Sequence, residues 1–357
     1  MVIAINTVVT QKNKIDVDAD FMQELFVEIA NQNPQHLFVF ITDNIFNFLP
    51  KNSSQIIVKS IAQNVLASKY FYNLQLPFLF KKHNPNLLVQ ATGYCSLTSS
   101  IPQLLVLQNL QKKNKKYISK ATHILASSQF LKNELIEKTK VDANKIDVVY
   151  GAAKGFFQPL DFEKNVNTKD GFADGREYFL LVGNKHKSID FIVILKAFSL
   201  FKKWQKSNMK LLVAGSFDLQ KNDVFEKMNT YKYKEDVVFL GSIEDVVSAK
   251  IMASAYCVLY PNSTSNFNTQ LIAAMQCGVP VIANDTSNLK ELGGDATIYT
   301  NTTLAEAIAE QMQCIYKDEN LRSDLIKKSL LQSRKFSLEI TAKQVWDSIK
   351  KITGNSV

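Results

Sequence analysis

The stretch YCVLYPNSTSNFNTQLIAAMQCGVPVIAN (residues 256–284) holds the pattern that decides the fold. Its composition predicts an apolar strand (256–261), a polar loop, a helix rich in small residues (269–276) and a second apolar strand (279–284). Two buried strands joined by a helix are typical of a βαβ unit with parallel strands. The loop and the helix entrance are rich in Asn, Ser and Thr, and no charged residue occurs from 262 to 284.

The same alternation of apolar runs and helical periodicity extends along the chain of 357 residues. A charged, aliphatic-poor segment (161–178) interrupts it and predicts a linker. The sequence therefore predicts an α/β protein with two doubly wound parallel-sheet domains, residues 1–165 and 166–335, with a C-terminal helix (336–357) packing back on the first. The predicted strands are 2–9, 36–42, 86–91, 103–108, 122–127, 145–150, 178–183, 210–215, 237–241, 256–261 and 279–284.

Helical periodicity accompanies these strands. Ser128 immediately precedes one periodic segment and is a candidate N-cap, because its hydroxyl can accept from a first-turn amide. The predicted helices are 19–32, 128–139, 188–206, one near 220–230, 245–254, 269–276 and an amphipathic one at 337–352.

Several classes of function are disfavoured by the composition. The four cysteines are far apart and lack the spacing of a zinc site, and no histidine forms a recognisable nucleophile pattern with Ser, Cys or a carboxylate. The N-terminus lacks the features of a signal peptide, and no apolar run reaches the roughly 20 residues of a membrane span. We therefore expect a cytoplasmic protein, with a peripheral position on the inner membrane face as an option.

The net charge of +9 is unevenly placed. Residues 44–133 contain no Asp or Glu, so this segment presents a positive surface. One interpretation is an anionic partner, either an acidic membrane face, a lipid-linked phosphate or nucleic acid. The other is a solvated lysine-rich surface. Nucleic acid is the least favoured partner, because the segment lacks arginine and interleaved aromatics. Its lysines are Lys51, Lys59, Lys69, Lys81, Lys82, Lys112, Lys113, Lys115, Lys116, Lys120 and Lys132.

Candidate binding residues follow the predicted strands of the second half. Ligands of open parallel sheets bind beyond the carboxyl ends of strands, where helix N-termini attract anions. Gly183, Lys185 and Lys187 follow one strand and suit a pyrophosphate, while Gly215 ends the next. The polar loop before the helix at 269 offers further neutral donors. The alternatives are plain turns and a capped helix with nothing bound.

Residues 237–299, VVFLG through ATIY, closely resemble the donor-binding half of GT-B glycosyltransferases of family 4. These enzymes transfer sugars from nucleotide donors with retention of configuration. Two further segments support the resemblance, YFLLVGNKHKSIDFIVILKAFSLF (178–201) and the stretch 121–157. The resemblance implies a GT-B fold, in which two Rossmann-like domains face a central cleft.

The chain departs from the family's motif at its acidic positions. The two family glutamates fall on Ser265 and Ala273, and two family glycines fall on Asn266 and Asn268. The family's clamp arginine is missing near Asn184, although Lys187 matches its lysine and Lys185 could substitute. The resemblance does not identify the catalytic residues of this chain. It implies an acceptor-side position at Asn109 and a donor site formed by Gly183, Lys185, Lys187, Gly215, Ile243, Ser265, Asn266, Phe267, Asn268, Thr269 and Gln270.

The resulting expectation is a hexosyltransferase of polysaccharide biosynthesis. It would move a mannose- or glucose-type sugar from a nucleoside diphosphate sugar to a glycan or lipid-linked acceptor, without a metal, because no acidic pair ends a strand near the donor site. A non-catalytic GT-B protein that binds a partner or a glycan is the alternative favoured by the missing glutamates. A GT-B epimerase acting on a UDP-sugar is the third.

Overall fold

The structure, a computed structural model, describes residues 1–8, 17–43, 45–46, 48–58, 65–80, 82–111, 115–182, 188–215, 228–261 and 267–354. Its internal contacts divide the chain into two compact units. The first comprises Met1–Ala152, Ser265–Phe267 and Leu338–Val357, and the second comprises Ala153–Thr264 and Asn268–Ser337.

The first unit is built on a seven-stranded sheet in which all neighbouring strands are parallel. The strands are β1 (Val2–Asn6), β2 (Leu37–Thr42), β3 (Ser53–Ile57), β4 (Leu87–Gln90), β5 (Gln103–Leu107), β6 (His123–Ala126) and β7 (Ile146–Val148). Their spatial order is β3-β2-β1-β4-β5-β6-β7, a doubly wound arrangement. Six of these strands were predicted. The edge strand β3 was missed because its sequence, SSQII, begins with three polar residues.

Helices cover both faces of this sheet. Alternate residues of β1 point in opposite directions: Ile3 and Ile5 pack with α1 and the C-terminal helix, whereas Ala4 packs with residues 71–80. The predicted cap is confirmed, because Ser128 Oγ accepts from the Leu131 amide at 3.1 Å. The helices are α1 (Val17–Gln32), α2 (Val65–Tyr70), a π-helical turn (Phe71–Gln75), α3 (Leu76–Phe80), α4 (Lys115–Lys120), α5 (Gln129–Thr139) and α13 (Leu338–Thr353).

The second unit contains a six-stranded parallel sheet of order β10-β9-β8-β11-β12-β13. Phe179 and Leu181 of β8 lie in its core with Phe198 and Phe201. The strands are β8 (Tyr178–Val182), β9 (Lys210–Ala214), β10 (Val237–Gly241), β11 (Cys257–Tyr260), β12 (Val281–Asn284) and β13 (Thr297–Thr300). The helices are α6 (Phe162–Ala173), α7 (Ser188–Gln205), α8 (Asp245–Ala253), α9 (Thr269–Gln276), α10 (Ser287–Gly293), α11 (Ala305–Lys317) and α12 (Glu319–Ser333).

The predicted fold class, two doubly wound parallel-sheet domains, is therefore confirmed. The predicted linker at 161–178 is different in the structure, because it contains α6. Asp161 caps this helix by accepting from the Lys164 amide at 2.8 Å, and Asp174 ends it in the left-handed conformation. The helix predicted near 220–230 falls mostly outside the described residues. No helix in the described part of the chain is both long and apolar enough to cross a membrane.

A partly buried ion-pair cluster fixes α13 to the edge of the first sheet. His123 Nε2 lies 2.9 Å from Asp147 Oδ2, and Asp147 also accepts from Ser348 Oγ at 2.7 Å and Lys351 Nζ at 2.8 Å. The sequence showed no sign of this histidine–carboxylate pair, because its members lie on different strands. Burial alone would raise the pKa of Asp147, but the hydrogen bonds from Lys351, Ser348 and His123 outweigh it and lower the pKa to about 2.

The lowered pKa of Asp147 makes the stability of the first unit depend on pH. Its stabilising contribution is complete above the ordinary aspartate pKa and is lost as the pH falls through that value towards about 2. We expect Asp147→Ala to lower the free energy of unfolding at pH 7 by about 1–3 kcal/mol, because the buried side chains of His123 and Ser348 lose their hydrogen-bond partner. Denaturation of the variant should also be less sensitive to pH below about 4. Chemical denaturation over a pH series measures both effects.

Lys351→Ala is the matched control. Its ammonium group is largely exposed, so its removal should lower stability by only about 0–1 kcal/mol. Equal losses in the two variants, or an unaltered pH dependence in Asp147→Ala, would contradict the assignment of Asp147 as the centre of the cluster.

Candidate functional site

The winding of the second sheet reverses between β8 and β11. These strands are parallel neighbours, with Phe179 opposite Cys257 and Leu181 opposite Leu259. From β8 the chain crosses to β9 on one side, and from β11 it crosses to β12 on the other. The carboxyl ends of β8 and β11 therefore lie side by side at a topological switch point, where open parallel sheets bind ligands. Of the predicted site residues, Gly183, Lys185, Lys187, Ser265 and Asn266 lie outside the described residues.

Asn268 forms the entrance to α9 beyond the end of β11. Its backbone adopts the left-handed conformation (φ 52°, ψ 38°), which glycine and asparagine tolerate best. Its carbonyl accepts from the amides of Leu271 at 3.0 Å and Ile272 at 3.3 Å. Its side chain is buried, and Oδ1 accepts from the hydroxyl of Tyr260 at 3.2 Å. Asparagine thus meets the backbone requirement at a position where the family resemblance places glycine.

The first turn of α9 carries no acidic residue. A helix N-terminus exposes backbone amides and has a partial positive charge, so a carboxylate there would compete with an incoming anion. Thr269 and Gln270 are half-buried at this turn. Ala273, the position of the second family glutamate, is 2% exposed within the same helix. The uncharged helix entrance leaves the favourable end of the helix dipole available to an anionic group.

Two other predicted residues follow neighbouring strands. Gly215 follows β9 with φ 119°, a value that requires glycine, and its amide donates to Gly241 at the end of β10 at 3.0 Å. Ile243 is half-buried between β10 and α8. The structure therefore brings Gly215, Ile243 and residues 268–270 to the carboxyl edge of one sheet.

The remaining two predicted residues belong to the first unit. Phe267 is fully buried in its core, where its ring centroid lies 5.2 Å from that of Phe21, so its side chain is not available to a ligand. Asn109 follows β5 and its Oδ1 accepts from Gln111 Nε2 at 3.0 Å. This hydrogen bond fits a local turn, the alternative that the sequence left open for Asn109.

A polar chain that the sequence did not predict lies at the switch point of the first sheet. Asn6 Nδ2 donates to Gln90 Oε1 at 2.9 Å, and Gln90 Nε2 donates to Gln103 Oε1 at 3.1 Å. Gln103 Nε2 donates in turn to the Ser96 carbonyl at 2.8 Å. All three amides are buried, and their mutual hydrogen bonds offset the cost of burial. The only sequence signal was an amide residue at one end of each of three apolar strands.

The chemistry of the titratable groups disfavours covalent catalysis by the three buried thiols. Burial raises the pKa of Cys95, Cys257 and Cys277 to about 12, which suppresses the nucleophilic thiolate. Within the described residues, no group of three His, Cys, Asp or Glu side chains is placed to hold a metal ion. A surface cavity of about 370 Å³ in the first unit, between α4 and the end of α5, contains none of the predicted site residues.

Comparisons with known proteins agree with this architecture. Residues 161–331, a little under half of the chain, match the family described as Glycosyl transferases group 1. The chain is similar to solved structures of a glycosyltransferase from Rickettsia africae (TM-score 0.78, 17% identity, 99% of each chain) and of Anabaena HepE in complex with UDP and glucose (TM-score 0.77, 14% identity, 98% and 99%). These likenesses show that the two parallel-sheet units have the GT-B fold.

The matches to curated relatives cover only part of each relative. The chain is 21% identical over 248 residues to O-antigen chain mannosyltransferase B of Escherichia coli, a match that covers 67% of this chain and 65% of the relative. Two other curated relatives are covered to 58% and 48% of their lengths. The chain therefore spans less than two thirds of these relatives.

The left-handed backbone of Asn268 gives a test of how the helix entrance is built. Asn268→Gly and Asn268→Val both lose the hydrogen bond to Tyr260, but only valine is strained at φ 52°. We expect Asn268→Val to be less stable than Asn268→Gly by about 1–2 kcal/mol in chemical denaturation.

Tyr260→Phe isolates the hydrogen bond and should lower stability by about 0.5–1.5 kcal/mol. If the valine and glycine variants unfold at the same denaturant concentration, the entrance does not require the left-handed conformation.

Proposed function

We propose that this protein is a retaining glycosyltransferase that moves a hexose from a nucleoside diphosphate sugar to a glycan or lipid-linked acceptor. The observation that carries the proposal is the uncharged start of α9 at the switch point of the second sheet, inside the segment that matches Glycosyl transferases group 1. The names of relatives support the class of sugar, since one is an O-antigen chain mannosyltransferase. The Anabaena structure, solved with UDP and glucose, supports a nucleotide-sugar donor.

The diphosphate of the donor would be neutralised without a metal. Backbone amides at the start of α9 supply partial positive charge, and Lys185 and Lys187 follow β8 in the sequence. Asn268 and Gly215 contribute backbone geometry that allows a ligand to approach the strand ends closely. We propose that Lys187 takes the role of the matching lysine in the resembling family, and that Lys185 and these backbone groups replace the missing arginine.

The sugar would be held by neutral groups. Hydrogen bonds to carboxylates contribute about 1.5–3 kcal/mol, whereas neutral hydrogen bonds contribute about 0.5–1.5 kcal/mol. Ser265 and the neighbouring asparagines can still bind sugar hydroxyls, with weaker affinity or slower turnover than a glutamate would give. Transfer remains feasible in this proposal, because the donor phosphate rather than a protein carboxylate assists deprotonation of the acceptor.

A second candidate function is a non-catalytic GT-B protein that binds a glycan or a partner protein. Ser265 and Ala273 at the acidic positions of the family favour it, and the burial of Ala273 leaves no polar group there.

The first proposal includes four finer statements. They are retention of configuration, a sugar of the mannose or glucose type, a lipid-linked acceptor, and a cytoplasmic location at an anionic membrane surface.

Nucleotide binding separates the two candidates. We expect UDP, GDP or ADP to bind with measurable heat at millimolar concentration, and we expect EDTA to leave the affinity unchanged. Lys187→Ala should weaken binding about tenfold, because it removes one ammonium group from the diphosphate. Lys328→Ala is the matched control, since Lys328 lies on α12 and pairs with Asp324 at 2.7 Å. Isothermal titration calorimetry measures all of these values.

Each outcome has a distinct meaning. Absence of heat with every nucleotide would reject the transferase, and loss of binding in EDTA would reject the metal-free site. Nucleotide binding without release of nucleoside diphosphate from any nucleotide sugar, tested with glycan and lipid-linked acceptors, would favour the non-catalytic protein. Equal affinity in Lys187→Ala and Lys328→Ala would remove Lys187 from the site.

A further inference from the structure

An apolar stripe is exposed on the helical segment 65–80 of the first unit. Tyr70, Leu74 and Phe78 are 60%, 61% and 71% exposed, although large apolar side chains are usually buried. Their spacing of four residues places them on one side of the helix. Isolated exposed apolar residues are common, but three in a row on one helix form a patch.

The local structure aligns this stripe. Four residues slightly exceed one turn of an α-helix, so a row at this spacing drifts around the axis. The turn Phe71–Gln75 is π-helical, because the Leu76 amide donates to the carbonyl of Phe71 five residues earlier. A π-helical turn contains more residues than an α-helical turn, so it offsets part of this drift. The same turn directs Phe71 and Tyr72 into the core, where Leu76 and Phe80 join them. The inward face is therefore already packed against the sheet, and the stripe is the outward face.

Lysines flank the stripe at both ends. Lys69 precedes it and Lys82 follows it, and both are exposed. The segment 44–133, which contains all of these residues, has no Asp or Glu. Leu97, partly exposed, lies beside the same helix, because its amide donates to Asn73 Oδ1 at 2.8 Å. An apolar row is flanked by lysines here, in a segment without Asp or Glu. This combination is complementary to a bilayer that has anionic headgroups at its surface and apolar lipid chains beneath them.

We propose that the stripe Tyr70–Leu74–Phe78 inserts into the interface of an anionic lipid bilayer, with Lys69 and Lys82 at the headgroups. Aromatic side chains and lysines favour the interfacial region of a bilayer. Electrostatic attraction between the lysines and anionic headgroups adds to the free energy gained by burying the apolar side chains. The inference rests on one part of the proposed function, the location at an anionic membrane surface, and names the surface of the first unit that would bind there. It does not rest on the transfer reaction itself.

Cosedimentation with lipid vesicles tests the inference. The full chain should bind vesicles of phosphatidylcholine with phosphatidylglycerol more strongly than phosphatidylcholine alone, and salt should weaken the binding. The double variant Leu74→Ser/Phe78→Ser should bind at least about tenfold more weakly, because burial of a Leu or Phe side chain is lost twice. Its nucleotide affinity should equal that of the unmodified chain, which separates this test from the test of transferase function.

Phe162→Ser is the matched control. Phe162 is 85% exposed on α6, but it lies between Asp161 and Glu163 in the second unit, so its removal should leave vesicle binding unchanged. A Phe78→Trp variant adds a direct readout, and its emission should shift to shorter wavelength when anionic vesicles are added.

Three results would overturn the inference. Equal vesicle binding by the double variant and by Phe162→Ser would show that the stripe is not the membrane-binding surface. Equal binding to the two kinds of vesicle would show that anionic lipid is not required. A concentration-dependent dimer that only the double variant abolishes in gel filtration, together with no spectral shift in Phe78→Trp, would assign the stripe to self-association.

Discussion

The reversal of winding between β8 and β11 is the constraint on which the site depends. Adjacent parallel strands whose crossovers leave in opposite directions expose their carboxyl ends together. The loop after β11 then has to enter α9 at this edge, and Asn268 makes the turn by adopting a left-handed backbone held by Tyr260. The amide end of α9 is thereby fixed at the switch point, independently of any ligand.

The site also depends on the absence of charged residues at the entrance to α9. A carboxylate in the first turn would stabilise the helix dipole internally, whereas neutral residues leave this role to an external anion. In the proposed function, neutral residues at the two family glutamate positions would weaken each contact with a sugar, because neutral hydrogen bonds are roughly half as strong as charge-assisted ones. The uncharged entrance of α9 is thus suited to a phosphate group. The strength of the proposed contacts with a sugar is the point at which a transferase and a non-catalytic protein would differ.

The sequence predicted what depends on local patterns and missed what depends on tertiary contacts. Apolar runs identified most strands, and Ser128 was recognised as a cap because capping is a local property. Edge strand β3 escaped, since a strand with one unpaired side tolerates the polar start of SSQII. Helix α6 was not predicted, because its bounds are defined by caps at Asp161 and Asp174 and not by an apolar face. The pair of His123 with Asp147 and that of Tyr260 with Asn268 join residues that only the folded chain brings together.

A crystal soaked in a panel of nucleoside diphosphate sugars tests the central claim most directly. The account predicts electron density for a diphosphate at the carboxyl ends of β8 and β11, with an oxygen within hydrogen-bond distance of a backbone amide in the first turn of α9. Density for the diphosphate elsewhere on the second sheet, or at the α9 entrance through contacts with carboxylates only, would contradict it.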